Sequence, residues 1–134
     1  VIPIIVNCLA GLPAPLHRCH ALGIVLRRTV NCWSERVAIL GAGGLSHWPA
    51  MPESGRIGLD FDRRFLDVFV GGRIETFLRY PRETLEAEAG PGGQEIRTWI
   101  TAAAAAGDAR GSLLAYQPVP AWSTGWAVAA LEPR

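Results

Sequence analysis

Apolar residues along this chain switch between two periods. Val1-Ile2-Pro3-Ile4-Ile5-Val6 is a continuous apolar run, as in a strand buried on both faces. It predicts a strand over Ile2–Cys8, ended by the turn-forming Ala10-Gly11-Leu12-Pro13. From Pro15 to about Asn31 the spacing turns helical. Leu16, His20, Gly23 and Arg27 share one stripe, and Ala21, Leu22, Val25, Leu26 and Val30 give an apolar face. Pro15 stands near the start, where a missing N–H costs little. A second apolar strand, Arg36–Leu40, runs straight into Gly41-Ala42-Gly43-Gly44. Strand, helix and strand in this order predict a βαβ unit with a parallel pair and a right-handed crossover.

Residues 45–57 follow neither period and read as loop. Leu59–Val70 is helical, with Phe61, Phe65, Leu66 and Phe69 on one side. Asp60, Asp62, Arg63, Arg64 and Asp67 fall mostly on the other, where solvated ion pairs are the default. Short helices follow over Ile74–Tyr80 and Arg82–Ala89, then a joint, Ala89-Gly90-Pro91-Gly92-Gly93. Gln94–Ala106 reads as a helix with Ile96, Trp99 and Ile100 facing the core. Leu113–Tyr116 and Ala127–Leu131 read as closing strands. The fold class is α/β: a mixed sheet with a βαβ unit and flanking helices.

Composition narrows the function. Of 134 residues, 49% are hydrophobic and 19% charged, which suits a globular domain and excludes a disordered chain. A net charge of +1 with no basic or acidic block gives no footprint for nucleic acid or an anionic membrane. No apolar run reaches the roughly 18 residues of a spanning helix. Cys8, Cys19 and Cys32 form no CxxC and no even framework, so they read as free thiols of a reducing, cytoplasmic compartment. The chain opens on a strand without an initiator Met, and missing N-terminal sequence is expected.

Two positions stand out chemically. His47 follows Gly41-Ala42-Gly43-Gly44-Leu45-Ser46 directly after a strand, and open α/β sheets gather ligands beyond the carboxyl ends of their strands. An imidazole there can take and return a proton near neutral pH. The glycine run is not a dinucleotide loop: Ser46 occupies the third glycine position and Pro49 blocks a helix. Glu95 opens a predicted helix after a glycine joint. It reads either as a favourable acid at a helix N-terminus or as a carboxylate held rigidly for a metal. His17-Arg18-Cys19-His20 has soft ligands but no convergent partners, so it reads as a helix start. Ser46 lacks a G-x-S-x-G elbow and an acid partner, which argues against a hydrolase.

Val37-Ala38-Ile39-Leu40-Gly41-Ala42-Gly43-Gly44-Leu45-Ser46-His47, then Gly55-Arg56-Ile57 and Phe61-Asp62-Arg63-Arg64-Phe65-Leu66, resemble the class III extradiol ring-cleavage dioxygenases. These are the family of the catalytic subunit of protocatechuate 4,5-dioxygenase. Gly93-Gln94-Glu95-Ile96-Arg97-Thr98-Trp99, Tyr116-Gln117-Pro118-Val119-Pro120 and Thr124-Gly125 are similar to its C-terminal part. The resemblance implies that residues 1–134 are the C-terminal part of a single catalytic domain. It also implies that catechol-type rings are opened with O2 on non-haem Fe(II) held by two His and one Glu. His47 would be the catalytic base toward a catechol hydroxyl and then an acid toward oxygen. Glu95 would be the metal ligand. Trp48 would help wall off water. The two His ligands match nothing here and are expected outside this chain. An oligomer or a partner chain would then complete the site, and the isolated chain is expected to hold iron poorly. A substrate carboxylate would find candidates in Arg56, Arg63 and Arg97, although ion pairing is the simpler role for these, and no substrate-binding residue is chosen. The alternative is a non-catalytic binding protein of the same fold that has lost the two histidines.

Overall fold

The computed structural model describes residues 1–9 and 11–133. Its helices are α1 (Leu16–Val30), α2 (Leu59–Val70), α3 (Arg82–Ala89) and α4 (Ile96–Ala105). Strands β1 (Gly111–Val119) and β2 (Thr124–Leu131) close the chain as an antiparallel hairpin. Tyr116 pairs with Ala127 and Val119 with Thr124, and a bulge interrupts the ladder between Leu113 and Ala115. Short 3-10 turns span Ile74–Phe77 and Pro91–Glu95, the second running directly into α4. The expected helix over Ile74–Tyr80 is therefore shorter and tighter than its pattern suggested.

The α/β character holds, but the expected βαβ pair does not form among the described residues. Neither the Ile2–Cys8 segment nor Arg36–Leu40 joins a strand ladder, and the hairpin is the one sheet there. A strand exists only against a hydrogen-bonded neighbour. These two segments instead line a common groove of about 840 Å³. Most of their large apolar side chains stay in the open: Ile2, Ile4, Ile5, Val37, Ile39 and Leu40 are exposed, while Val6 packs on the core and Cys8 is buried. Ala10, at the head of the expected turn, lies outside the described residues.

α1 packs on α4 through a narrow stripe of Leu16, Cys19 and Gly23, not through the broad face its periodicity suggested. A Cβ at Gly23 would lie 2.2 Å from the Thr101 carbonyl oxygen and 2.6 Å from the Ala104 Cβ, so only glycine lets the backbones come this close. The Thr101 hydroxyl donates to the Cys19 carbonyl at 3.1 Å. Val25, on the predicted apolar face, is exposed, and Leu26 and Val30 line the groove.

The core sits between α2, α4 and the hairpin. Phe65 is fully buried, with its ring 5.2 Å from Phe77 and 6.2 Å from Trp99. Phe69 meets Trp99 edge-on at 5.1 Å. Tyr116, Ala127, Ala129 and Leu131 cover this cluster from the hairpin. No described helix is long and apolar enough to cross a membrane.

Burial leaves a titration signature. It pushes the Cys8 and Cys19 thiols above their ordinary 9.0, and the Tyr80 and Tyr116 phenols above their ordinary 10.0. Each group therefore ionises in the unfolded chain at a lower pH than in the folded one. The unfolded state gives up protons first, so stability is whole below the unfolded values and falls as pH rises from 9 upward. Urea unfolding at about pH 8 and about pH 10.5 tests this, with a lower midpoint expected at the alkaline pH. An equal or higher midpoint there would contradict the burial of these groups.

Candidate active site

The loop after Leu40 is folded onto α4 and onto the start of β2. Leu45 N–H donates to the Gly125 carbonyl at 3.1 Å, and Gly125 N–H returns a bond to the Ser46 carbonyl at 2.9 Å. His47 forms an isolated bridge with Thr124. Its N–H donates to the Ala89 carbonyl at 2.8 Å, and its own carbonyl accepts from Gly92 N–H at 3.1 Å. Both peptide groups of His47 are thus committed, so only its side chain is left to aim. The ring lies against Gly92, where a Cβ would come within 2.1 Å of it. The glycine joint before α4 is what makes room for the imidazole.

His47 and Glu95 converge. Nε2 of His47 lies 3.6 Å from Oε1 of Glu95, with side-chain exposures of 14% and 28%. Oε2 of Glu95 accepts the Gly44 N–H at 2.6 Å. Nδ1 of His47 lies 3.3 Å from the Leu45 carbonyl oxygen. A carbonyl needs a donor, so this contact selects the tautomer protonated on Nδ1. In that neutral tautomer Nε2 carries the lone pair, 3.6 Å from Glu95 and beyond hydrogen-bond range. Both side chains open on a cleft of about 1210 Å³ lined also by Trp33, Trp99, Trp122 and Trp126. Trp99 is held by its indole N–H, which donates to the Gly43 carbonyl at 2.9 Å.

Other expectations are redirected. Trp48 does not line this cleft; it is buried against Gly90, under the Arg56 guanidinium at 4.6 Å. Asp62, expected among solvated charges, is fully buried. Arg64 of the same helix pairs outward with Glu88 of α3. Arg97 is also buried and donates to the Ala14 carbonyl at 2.7 Å and the Gln94 carbonyl at 3.0 Å, which removes it from the candidates for a substrate anion. His20 pairs with Asp108 at 3.1 Å, and His17 is exposed. Ser46 is buried and hydrogen-bonded to Asp62, so it is no nucleophile.

The donor set at the cleft fits a metal only in part. Glu95 is a hard oxygen donor, half open and oriented by a backbone N–H. Among the described residues no three His, Cys, Asp or Glu side chains stand close enough together to hold a metal ion.

A glycine-turned loop presents a histidine to a glutamate at the mouth of an aromatic cleft. Residues 1–127 match the model of the catalytic LigB subunit of aromatic ring-opening dioxygenase. The chain belongs to the LigB family. LigB-family resemblance extends to curated relatives. All of the chain aligns with a 2,3-dihydroxyphenylpropionate/2,3-dihydroxicinnamic acid 1,2-dioxygenase of Xanthobacter autotrophicus, at 29% identity over 181 positions and 58% of that protein. The protein of the same name from Azotobacter vinelandii is 32% identical over 180 positions, again covering all of the chain and 58% of the relative. The Rhodococcus rhodochrous protein is 28% identical, with 96% of the chain and 55% of the relative covered. The chain thus spans a little over half the length of these LigB-type relatives. The matched stretches are themselves longer than its 134 residues.

Proposed function

We propose that this chain is part of an Fe(II)-dependent extradiol dioxygenase that opens a catechol-type ring with O2 and incorporates both oxygen atoms. The observation that carries this reading is the approach of His47 Nε2 to Glu95 Oε1 at 3.6 Å on the wall of one aromatic cleft. The family's description as aromatic ring-opening dioxygenase and the relatives' names, all 1,2-dioxygenases, support the reaction class. Glu95 is the carboxylate ligand, and two histidines come from polypeptide outside residues 1–134. Iron, when bound, would act as a Lewis acid that makes the catechol hydroxyls easier to ionise.

The chain's own residues do the rest. Nε2 of His47 accepts the proton of a catechol hydroxyl and holds it for return. Gly92 and the Leu45 carbonyl keep the ring in that orientation. Trp33, Trp122 and Trp126 offer flat apolar faces to an aromatic ring. Exposed Ile2, Ile4, Val37 and Leu40 support the seating of further polypeptide on this side, either a partner chain or another part of the same protein. Free Cys8, Cys19 and Cys32 support a cytoplasmic location.

A second reading, a non-catalytic binding protein of the same family, draws on the absence of any cluster of three possible metal ligands among the described residues. Anaerobic dialysis against Fe(II) followed by oxygen-electrode assays with a panel of catechols separates the two. The isolated chain is expected to retain no iron. The chain combined with the polypeptide bearing the two histidines is expected to retain one Fe(II) and to consume one O2 per catechol. Neither iron retention nor oxygen uptake on any catechol in that combination would favour the binding protein.

A further inference from the structure

A carboxylate lies buried beneath the candidate base, and nothing in the proposed chemistry uses it. Asp62, in the first turn of α2, and Ser46, next to His47, are both fully buried. Oδ1 of Asp62 accepts the Ser46 backbone N–H at 2.8 Å. Oδ2 accepts the Ser46 hydroxyl at 3.0 Å and the Tyr116 hydroxyl at 2.8 Å. The Ser46 oxygen in turn accepts the Gly58 N–H at 2.7 Å, which ties the start of α2 to the loop. At Gly125 a Cβ would come within 1.9 Å of Oδ2, so β2 is built to admit this carboxylate.

Burying a carboxylate is costly unless hydrogen bonds replace its water. Burial pushes the Asp62 carboxyl above the ordinary 3.8, while the Ser46 N–H, the Tyr116 and Ser46 hydroxyls and the nearby His47 pull it back. A merely structural anchor in this core would cost less as an apolar residue. What the charge achieves is directional. Both oxygens grip one residue, through its backbone N–H and its hydroxyl, and that residue is covalently joined to His47.

We propose that Asp62 is a positioning residue: it clamps Ser46, with Tyr116 as its second support, and so aims the His47 imidazole at Glu95 and into the cleft. This rests on the reading of His47 as the proton acceptor, but its test does not need the reaction. The molecule carries its own standards, because His17 is exposed and His20 is pinned by Asp108, far along the sequence from the clamp. Carbethoxylation of the three histidines with diethyl pyrocarbonate, followed peptide by peptide by mass spectrometry, reports how firmly each ring is held.

In the unmodified sequence His47, at 14% side-chain exposure, is expected to react much more slowly than the exposed His17. Asp62→Asn keeps the shape but turns an acceptor into a donor facing two hydroxyls. The His47 rate relative to His17 is expected to rise about tenfold, with His20 unchanged. An unchanged His47 ratio would overturn the proposal. If His20 rises as well, the fold has opened, and Tyr116→Phe decides. That variant removes a single bond and is expected to raise the His47 ratio alone by about threefold; no rise would overturn the proposal. A failure of ring cleavage would leave these ratios untouched, so the two claims fall separately.

Discussion

Replacing His47 with Ala in the complete, iron-loaded unit is expected to lower turnover by about a hundred- to ten-thousandfold while iron stays bound. The range is that of a positioned acid–base group. The basis is geometric: Nδ1 is engaged by the Leu45 carbonyl, leaving Nε2 as the open acceptor beside Glu95. Beyond its fit against Gly92, the ring meets only the Leu45 carbonyl of its own loop and the Glu95 carboxylate among the contacts described, so truncation leaves the loop's backbone bonds to Ala89 and Gly125 in place. Turnover should therefore fall with little change in KM for the catechol. His47→Gln, with a comparable shape and no basic nitrogen, should be equally slow. Oxygen-electrode rates check both variants. Full activity of either would remove His47 from the chemistry.

The largest effect on stability is expected from Phe65→Ala. Phe65 is fully buried and touches four other rings, those of Phe61, Phe69, Phe77 and Trp99. Truncation removes the transfer energy of the benzyl group and leaves a cavity between α2 and α4 that relaxes only in part. The cost is about 3–5 kcal/mol. Against a total of about 5–15 kcal/mol for a domain of this size, that brings the folded state close to its limit. Phe65→Leu fills most of the space and should cost about 1–2 kcal/mol. Urea unfolding followed by tryptophan fluorescence measures both, because Trp99 sits against the Phe65 ring. A loss below about 1 kcal/mol for the alanine variant would mean that this cluster is not the centre of the core.

The helices and the pairing of His47 with Glu95 could be read before any coordinates. Their signals are local: helical spacing in α1, α2 and α4, a glycine run after an apolar segment, and a resemblance that points to the same two residues. The buried charges could also have been read, and were not. Asp62, Phe65, Leu66 and Phe69 stand at i, i+3, i+4 and i+7, so Asp62 falls on the apolar stripe of α2. Arg97, Ile100, Thr101 and Ala104 repeat the pattern on α4. A charge on such a stripe is a buried charge with partners, and the default of a solvated face hid both. The parallel pair was misjudged for a different reason. Apolar runs at Ile2–Cys8 and Arg36–Leu40 predict burial on two faces but not which backbone lies alongside; without that neighbour most of their large apolar side chains stay exposed, and pairing is a long-range property that a run of Ile and Val does not encode. The narrow contact of α1 with α4 was likewise invisible in a pattern that weighs hydrophobicity, because its determinant is a glycine.

Metal analysis of two variants tests the central claim most directly. In the complete unit, loaded with Fe(II) without oxygen and then dialysed, Glu95→Ala is expected to lose the iron and His47→Ala to keep it at the level of the unmodified protein. That split would place the carboxylate on the metal and the imidazole beside it, in keeping with their 3.6 Å approach. Retention of iron by Glu95→Ala, or its loss from His47→Ala alone, would contradict the account.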